Sequence, residues 1–444
     1  MLEILANRTY RHLFAAQITA LVGTGLATIA LGLLAYDLAD EDAAMVLGAV
    51  FTIKMAAYVG IAPIAGAFAD RVPRRLLLVA LDIVRAAVAL ALPFVTQIWE
   101  LYLLIFVLQS ASAAFTPTFQ ATIPDVLPEE SRYTRALSLS RLAYDLENIF
   151  SPTLAALLLA MMSYDALFLG TVAGFLASAA FVVSVLLPSP APSDVRDIYE
   201  RMTRGIRIYL ATPRLRGLLA LNLAAAASGA MVLVNTVVLV RGGLGLGESA
   251  VAWAMAAFGG GSMLTALTLP RLLDRTPDRV VMLTSAALMI ASLCALAAFI
   301  PSVGLSWPLL LGAWVTVGIG YSGILTPSGR LLRRSSHPED RPALFAAQFA
   351  LSHACWLVTY PLSGWLMTAY GALAALAGLS ALAFFGAVLA LLLWPSSDPV
   401  VIAHRHDDLP PHHPHLRDTR EHAHPYMIDD LHRRWPPANS RSPD

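Results

Sequence analysis

Charge is what this chain of 444 residues has least of. Only 14% of its residues are Asp, Glu, Lys or Arg, where a soluble chain carries about a quarter. That excludes an ordinary water-soluble protein. Lysine is all but missing: Lys54 is the only one. Cysteine is scarce, and its two copies, Cys294 and Cys355, both lie in apolar runs, which excludes a disulfide framework. The formal net charge is zero, so nothing recommends a nucleic-acid partner. No Gly-x-x-x-x-Gly-Lys-Ser/Thr loop occurs, so ATP is not expected to drive the protein, and no cofactor is expected. The first apolar stretch is too long for a removable signal peptide and lacks a small-residue cleavage site.

What fills the chain is apolar. Hydrophobic residues make up 57% of it and the mean hydropathy is +0.65. Runs of about twenty residues recur, each long enough to cross a hydrocarbon core of roughly 30 Å as a helix. They lack the period-2 alternation of a membrane barrel. Twelve spans are expected, at about 12–37, 44–69, 76–97, 99–123, 136–161, 166–187, 217–240, 249–270, 280–300, 306–328, 342–368 and 372–394. The connections alternate in charge. One set is arginine-rich, including Arg71, Arg74 and Arg75, six arginines in 196–216, and Arg330, Arg333, Arg334 and Arg341. The other set is almost free of positive charge, Arg241 excepted. Short arginine-rich loops stay in the cytoplasm, so both termini are expected there, in an all-α multi-pass protein of a bacterial inner membrane.

The chain also matches itself. "GAFADRVPRRL" (66–76) and "PRLLDRTPDRV" (270–280) share Asp-Arg-x-Pro-x-Arg, and "TPTFQATIPDVLPEESR" (116–132) is echoed by "TPSGRLLRRSSHPEDR" (326–341). The segment between the two copies is the longest polar connection before the C-terminal tail. The expected organisation is therefore a six-helix half over 1–187, a linker over 188–216, a second six-helix half over 217–394 and a tail over 395–444. Parallel repeats of this kind characterise transporters whose substrate site lies between the halves near mid-bilayer.

At "GAFADRVPRR" the chain resembles the major facilitator superfamily, whose signature loop runs Gly-x-x-x-Asp-Arg-x-x-Arg-Arg after the second span. Gly66, Asp70, Arg71, Arg74 and Arg75 match it position by position, and Asp274, Arg275 and Arg279 form a looser copy with Pro270 in place of the glycine. The resemblance implies a latch that holds the cytoplasmic side shut, with Asp70 near a helix N-terminus of the other half, where a macrodipole favours negative charge. "FTPTFQATIPDVLPEE", followed by a span holding Arg141, Asn148 and Pro152, is most similar to the drug and siderophore exporters of that family. "HAHPYMIDDLHRRWP" (422–436) resembles the His-rich tails of bacterial nickel-resistance exporters.

Several charges fall inside spans, where each costs roughly 2.5–3.5 kcal/mol even on a lenient insertion scale. Lys54 lies about ten residues into span two. Span five holds Arg141, Asp145, Glu147 and Asn148. Asp145 and Glu147 are two apart and face different sides of a helix, while Arg141 and Asp145 are four apart and can pair. That leaves Glu147 as the freer proton carrier. His353 lies near the middle of span eleven, which in the facilitator fold adjoins span two and brings His353 to the depth of Lys54. Lys54, Asp145, Glu147, Asn148 and His353 are the candidate transport and coupling residues. Asp82 and Arg85 read as a structural i,i+3 pair.

The tail is unlike the rest. Eight of eleven histidines fall within it: His404, His406, His412, His413, His415, His422, His424 and His432. Imidazoles interleaved with carboxylates suit divalent nickel, cobalt, copper or zinc. Its prolines and polar composition predict disorder until an ion binds. Affinity alone favours copper over nickel, so the preference for nickel, then cobalt, comes from the resemblance. The reading that follows is a proton-coupled exporter of Ni²⁺, with Co²⁺ second. Export of an organic drug or siderophore, with the tail accessory, is the alternative. A metal receptor that signals through its tail is a third.

Overall fold

The computed structural model describes residues 2–68, 72–188, 195–337, 340–399, 401–405 and 421–436. Twelve helices carry the fold: α1 (Arg8–Ala39), α2 (Ala43–Phe68), α3 (Arg74–Ala91), α4 (Ile98–Val126), α5 (Glu130–Leu159), α6 (Asp165–Val183), α7 (Val195–Ala211), α8 (Pro213–Val237), α9 (Glu248–Leu273), α10 (Asp278–Val303), α11 (Trp307–Arg334) and α12 (Arg341–Leu393). Local chemistry sets their ends. The Asn7 side chain accepts the Tyr10 N–H at the start of α1. Glu100 reaches back to the Gln97 N–H at the start of α4. Proline at 93 replaces the end of the third expected span with a tighter turn, Leu92–Phe94.

Among the described residues, ten helices are long and apolar enough to cross a membrane by composition, and α12 is too long for one crossing. Its backbone breaks at Gly371, whose φ of 81° suits a residue without a side chain. The two arms on either side of Gly371 correspond to the last two expected spans. Two helices are missing from that count: the linker helix α7, and α5, which carries the charged candidates of span five and is counted here as a crossing. Together these make twelve crossings. Outward-facing Leu76, Phe94, Leu186 and Leu392 are each more than 60% exposed in the bare protein, as side chains facing lipid should be.

Helices α1 to α6 pack on one another as one bundle, and α8 to α12 as a second. The bundles meet mainly where α2 lies on the first arm of α12 and where α5 lies on α9. Residues at both chain ends share one face: Tyr10 donates to the Ala136 carbonyl at the start of α5, and Arg279 at the start of α10 donates to the Trp394 carbonyl just past α12. This is the Arg-rich face.

The linker expected at 188–216 contains helix α7, which lies against α12. Gly205 comes so close to the Ala343 carbonyl that a Cβ there would overlap it, and the Tyr209 hydroxyl donates to Gln348.

The tail departs from expectation. Disorder was predicted throughout, yet β1 (Val401–Arg405) pairs with β2 (Glu421–Pro425) as an antiparallel ribbon, with His404 opposite His422. Residues 421–436 then fold against the second bundle. Ile402, Tyr426 and Ile428 are buried and continue its core. Composition averaged over many prolines and charges conceals these few apolar anchors. His406, His412, His413 and His415 lie outside the described residues.

Candidate functional site

A cavity of about 280 Å³ lies between the bundles. Lys54 from α2 and Glu147 from α5 both line it, and their charges interact. Around them stand Phe51, Tyr58, Phe115, Phe119, Phe258 and Tyr360, with Gln17, Thr24, Thr28, Gln109, Ser112 and Thr116 supplying polar edges. Glu147 finds room because α1 has glycine at 25: a Cβ there would sit 2.6 Å from Glu147 Oε1 and would overlap Ser151. Pro152 also lines the cavity and cannot donate to the Asn148 carbonyl, which loosens α5 one turn beyond Glu147.

The other coupling candidates fare differently. His353 does not line the cavity. Its ring stacks on Tyr58 at 5.6 Å and its Nδ1 lies 2.7 Å from the Phe349 carbonyl, so Tyr58 stands between it and the solute space. Asp145 and Asn148 belong to α5, as does Arg141, and the side chains of all three lie outside the described residues. Arg85 pairs with Asp82, which also accepts from Ser178 at 2.7 Å. The Arg85 guanidinium lies between the Phe115 and Phe175 rings, 4.0 and 4.5 Å from their centroids. The two pair at i,i+3 as expected, and Arg85 also reaches the cavity wall, which the spacing gave no sign of.

The signature loops can be compared across the repeat. Gly66 lies in the last turn of α2, while Asp70 and Arg71 fall outside the described residues. Arg74, the first residue of α3, pairs with Asp125 near the end of α4, and Arg75 donates to the Val183 carbonyl at the end of α6. In the second bundle the residue matching Arg74 is Asp278, and it pairs with Arg330 near the end of α11 at 2.7 Å. The same helix pair is fastened in both bundles with the charges exchanged. Asp274 and Arg275 follow the end of α9, and Arg279 holds the end of α12 at Trp394. Each of these contacts stays within one bundle.

The opposite face joins the bundles. Arg241, the lone positive charge of that side, lies 4.0 Å from Asp37 of the first bundle and 3.8 Å from Glu248 of the second, over the Tyr36 ring. Just inside, α2 and α12 touch backbone to backbone. A Cβ at Gly48 would come within 2.8 Å of the Tyr360 carbonyl, and one at Gly364 within 2.5 Å of Ala44. The halves are drawn together on the side away from the termini.

The folded tail gathers a second cluster. Ligand atoms of His404, His424 and His432 lie within 4.8 Å of one another, and His404 Nε2 is 3.0 Å from His432 Nε2. His422 opposes His404 in the ladder, its side chain outside the described residues. Asp429 sits at 2.9 Å from His432 Nδ1 and 3.3 Å from His337. Burial opposes charge on Asp429, but hydrogen bonds from the His432 side chain and backbone outweigh it and hold its carboxyl below the usual carboxylate range.

The family model described as Major Facilitator Superfamily matches residues 13–242 and 218–423. The chain belongs to the major facilitator superfamily. It is 25% identical over 290 residues to an uncharacterized MFS-type transporter, YfiS, of Bacillus subtilis, a match covering 63% of this chain and 67% of that one. It is 25% identical over 202 residues to macrolide efflux protein A of Streptococcus pyogenes, covering 43% of this chain and about half, 49%, of that relative. Among solved structures it is similar to a bacterial homolog of the human lysosomal transporter Spinster (TM-score 0.66, 13% identity, 88% of this chain and 98% of that one). The nucleoside transporter NupG is comparable (TM-score 0.67, 14% identity, 87% and 98%). The superfamily fold is that of a multi-pass membrane transporter, and the macrolide relative fits efflux in general.

Proposed function

We propose that this chain exports divalent transition-metal ions, nickel first and cobalt second, in exchange for protons by alternating access across a bacterial inner membrane. The Arg-rich face is then cytoplasmic. The observation that carries the reading is the convergence of His404, His424 and His432 on that face. Neutral imidazole suits nickel, cobalt, copper and zinc. The choice of nickel rests on the resemblance of the tail to nickel-resistance exporters.

In the cavity, Glu147 is the coupling acid and Lys54 its resident counter-charge. A proton or a cation at the carboxylate takes over the charge balance that Lys54 otherwise supplies in the cavity, so one group serves both and never both at once, as exchange requires. Expelling a cation costs about 2.3 kcal/mol per charge per 100 mV, which inward proton movement offsets. The cross-bundle contact of Arg241 with Asp37 is the outer gate. Gly66, Asp70, Arg71, Arg74 and Arg75, with Asp274, Arg275 and Arg279, form the latch of the cytoplasmic side.

Export of an amphipathic organic solute is the second reading. It is supported by the aromatic cavity wall and by the macrolide efflux relative. Growth of cells carrying the gene across a panel of metals and drugs separates the two. Tolerance of nickel that falls with Glu147→Gln, and falls in part with truncation after Pro395, supports the first reading. Drug tolerance untouched by truncation supports the second.

A further inference from the structure

The tail cluster has a built donor set, and its surroundings tie it to the transport machinery. His404 Nδ1 lies 3.0 Å from the Ile402 carbonyl and His424 Nδ1 2.8 Å from the Pro425 carbonyl. A carbonyl oxygen only accepts, so in both rings Nδ1 carries the hydrogen and a neutral ring offers its Nε2 lone pair. Asp429 fixes His432 in the same sense, the carboxylate–histidine arrangement that orients metal ligands. Two such Nε2 atoms, on His404 and His432, then face each other at 3.0 Å. Lone pairs at that separation repel unless a proton or a metal cation lies between them.

What holds the cluster in place is equally specific. Asp429 also reaches His337 in the turn between α11 and α12. Its neighbour Asp430 takes Arg204 at 2.9 Å and Arg207 at 3.2 Å, both from α7. Arg204 at the same time holds Asp340 at the start of α12. Trp435 lies under the Arg214 guanidinium, 5.1 Å away. The first arm of α12 is the helix that meets α2 across the two bundles. An unbroken run of contacts therefore leads from the imidazoles to a helix that must move when the bundles rock.

We propose that a divalent transition-metal ion held by the Nε2 atoms of His404, His424 and His432 fastens the tail onto α7 and the α11–α12 turn, making the docked tail an ion-operated brace on the cross-bundle helix. This rests on the metal-handling reading above and goes beyond it. The three imidazoles form a regulatory site, distinct from the central cavity, that reports the ion's concentration on the Arg-rich face. When the site is empty the tail releases, and α12 loses its brace.

Hydrogen exchange on the full-length protein in lipid nanodiscs, with and without Ni²⁺, tests this. With free Ni²⁺ at about 100 times its dissociation constant, opening of a segment stabilised by the ion falls about 100-fold. Exchange over 421–436 should slow by that factor, and α7 should gain protection with it. His404→Ala with His424→Ala should abolish the Ni²⁺ effect. The double variant could unfold the tail by itself, so Asp430→Asn supplies a second arm that spares all three imidazoles. It should keep Ni²⁺ protection over 421–436 and lose it in α7. Exchange over 421–436 that ignores Ni²⁺ in the natural chain overturns the proposal, as does Ni²⁺ protection surviving in the double variant. Loss of Ni²⁺ transport in vesicles with tail protection intact would sink the cargo assignment alone. Transport with an unprotected tail would sink this proposal alone.

Discussion

Replacing Gly25 with alanine adds a single methyl group where the structure has no space for it. Its Cβ would overlap Ser151 on α5 and sit 2.6 Å from Glu147 Oε1. Both neighbours must give way: α1 and α5 separate, or the carboxylate swings further into the cavity. Inserting carbon into a packed interior costs roughly 1–3 kcal/mol, and the helix gains back about 0.5–1 kcal/mol from replacing glycine. The net loss is between about 0 and 2.5 kcal/mol, toward the upper end because the overlap with Ser151 is severe. Gly260 in α9 is the matched control, because nothing lies within 4 Å of its added Cβ. Gly260→Ala should therefore be neutral or stabilising by about 0.5–1 kcal/mol. Thermal unfolding of the two variants in one detergent measures the contrast, and proton-driven transport measures whether the displaced carboxylate still works. Gly25→Ala should melt below the natural protein, Gly260→Ala should not, and only the first should slow coupled transport. Equal melting of both variants would refute the reasoning that Glu147 is packed against α1.

Glu147→Gln keeps the size of the side chain and removes its charge, leaving Lys54 without its counter-charge. Among the described residues no salt bridge joins these two side chains, so the destabilisation should stay within the roughly 1–3 kcal/mol of a buried polar group left unsatisfied. Adding Lys54→Met should restore stability but leave gradient-driven transport absent, and denaturation curves of the single and double variants check this. Arg241→Ala removes the cation that Asp37 of the first bundle and Glu248 of the second both face, and leaves two carboxylates that repel across the outer face. It should shift the population toward a form open on that side, read as faster labelling from that side of a cysteine placed at the cavity residue Thr28 and slower labelling at the Arg-rich face.

The spans were legible to within a few residues because a membrane crossing needs a long, nearly uninterrupted apolar run. The boundary at Phe94 was missed where Pro93 tightens the helix end. Span five is weakly apolar, and among the described residues only its second part, Phe150–Leu159, reads as a membrane run. The repeat was legible in Asp-Arg-x-Pro-x-Arg, but its variable position was not. That Arg74 becomes Asp278, and that their partners Asp125 and Arg330 change sign to match, depends on contacts more than fifty residues apart in sequence. Lys54 and Glu147 could be picked out as costly charges, although nothing in the chain announced that both face the cavity while His353 stands behind Tyr58. Arg241 looked like an exception to the charge pattern, and its two acidic neighbours from different bundles explain it. The tail misled because Ile402, Tyr426 and Ile428 are few among prolines and histidines, and β1 finds its partner strand some twenty residues away.

The most direct measurement places the purified chain in sealed vesicles with an acid interior, so that protons leaving by the carrier draw external cargo inward, and follows Ni²⁺ with a trapped indicator dye. The account predicts nickel uptake that requires the pH difference, stops when a proton carrier collapses it, and disappears in Glu147→Gln. Nickel that stays outside while an organic solute enters under the same gradient would contradict it.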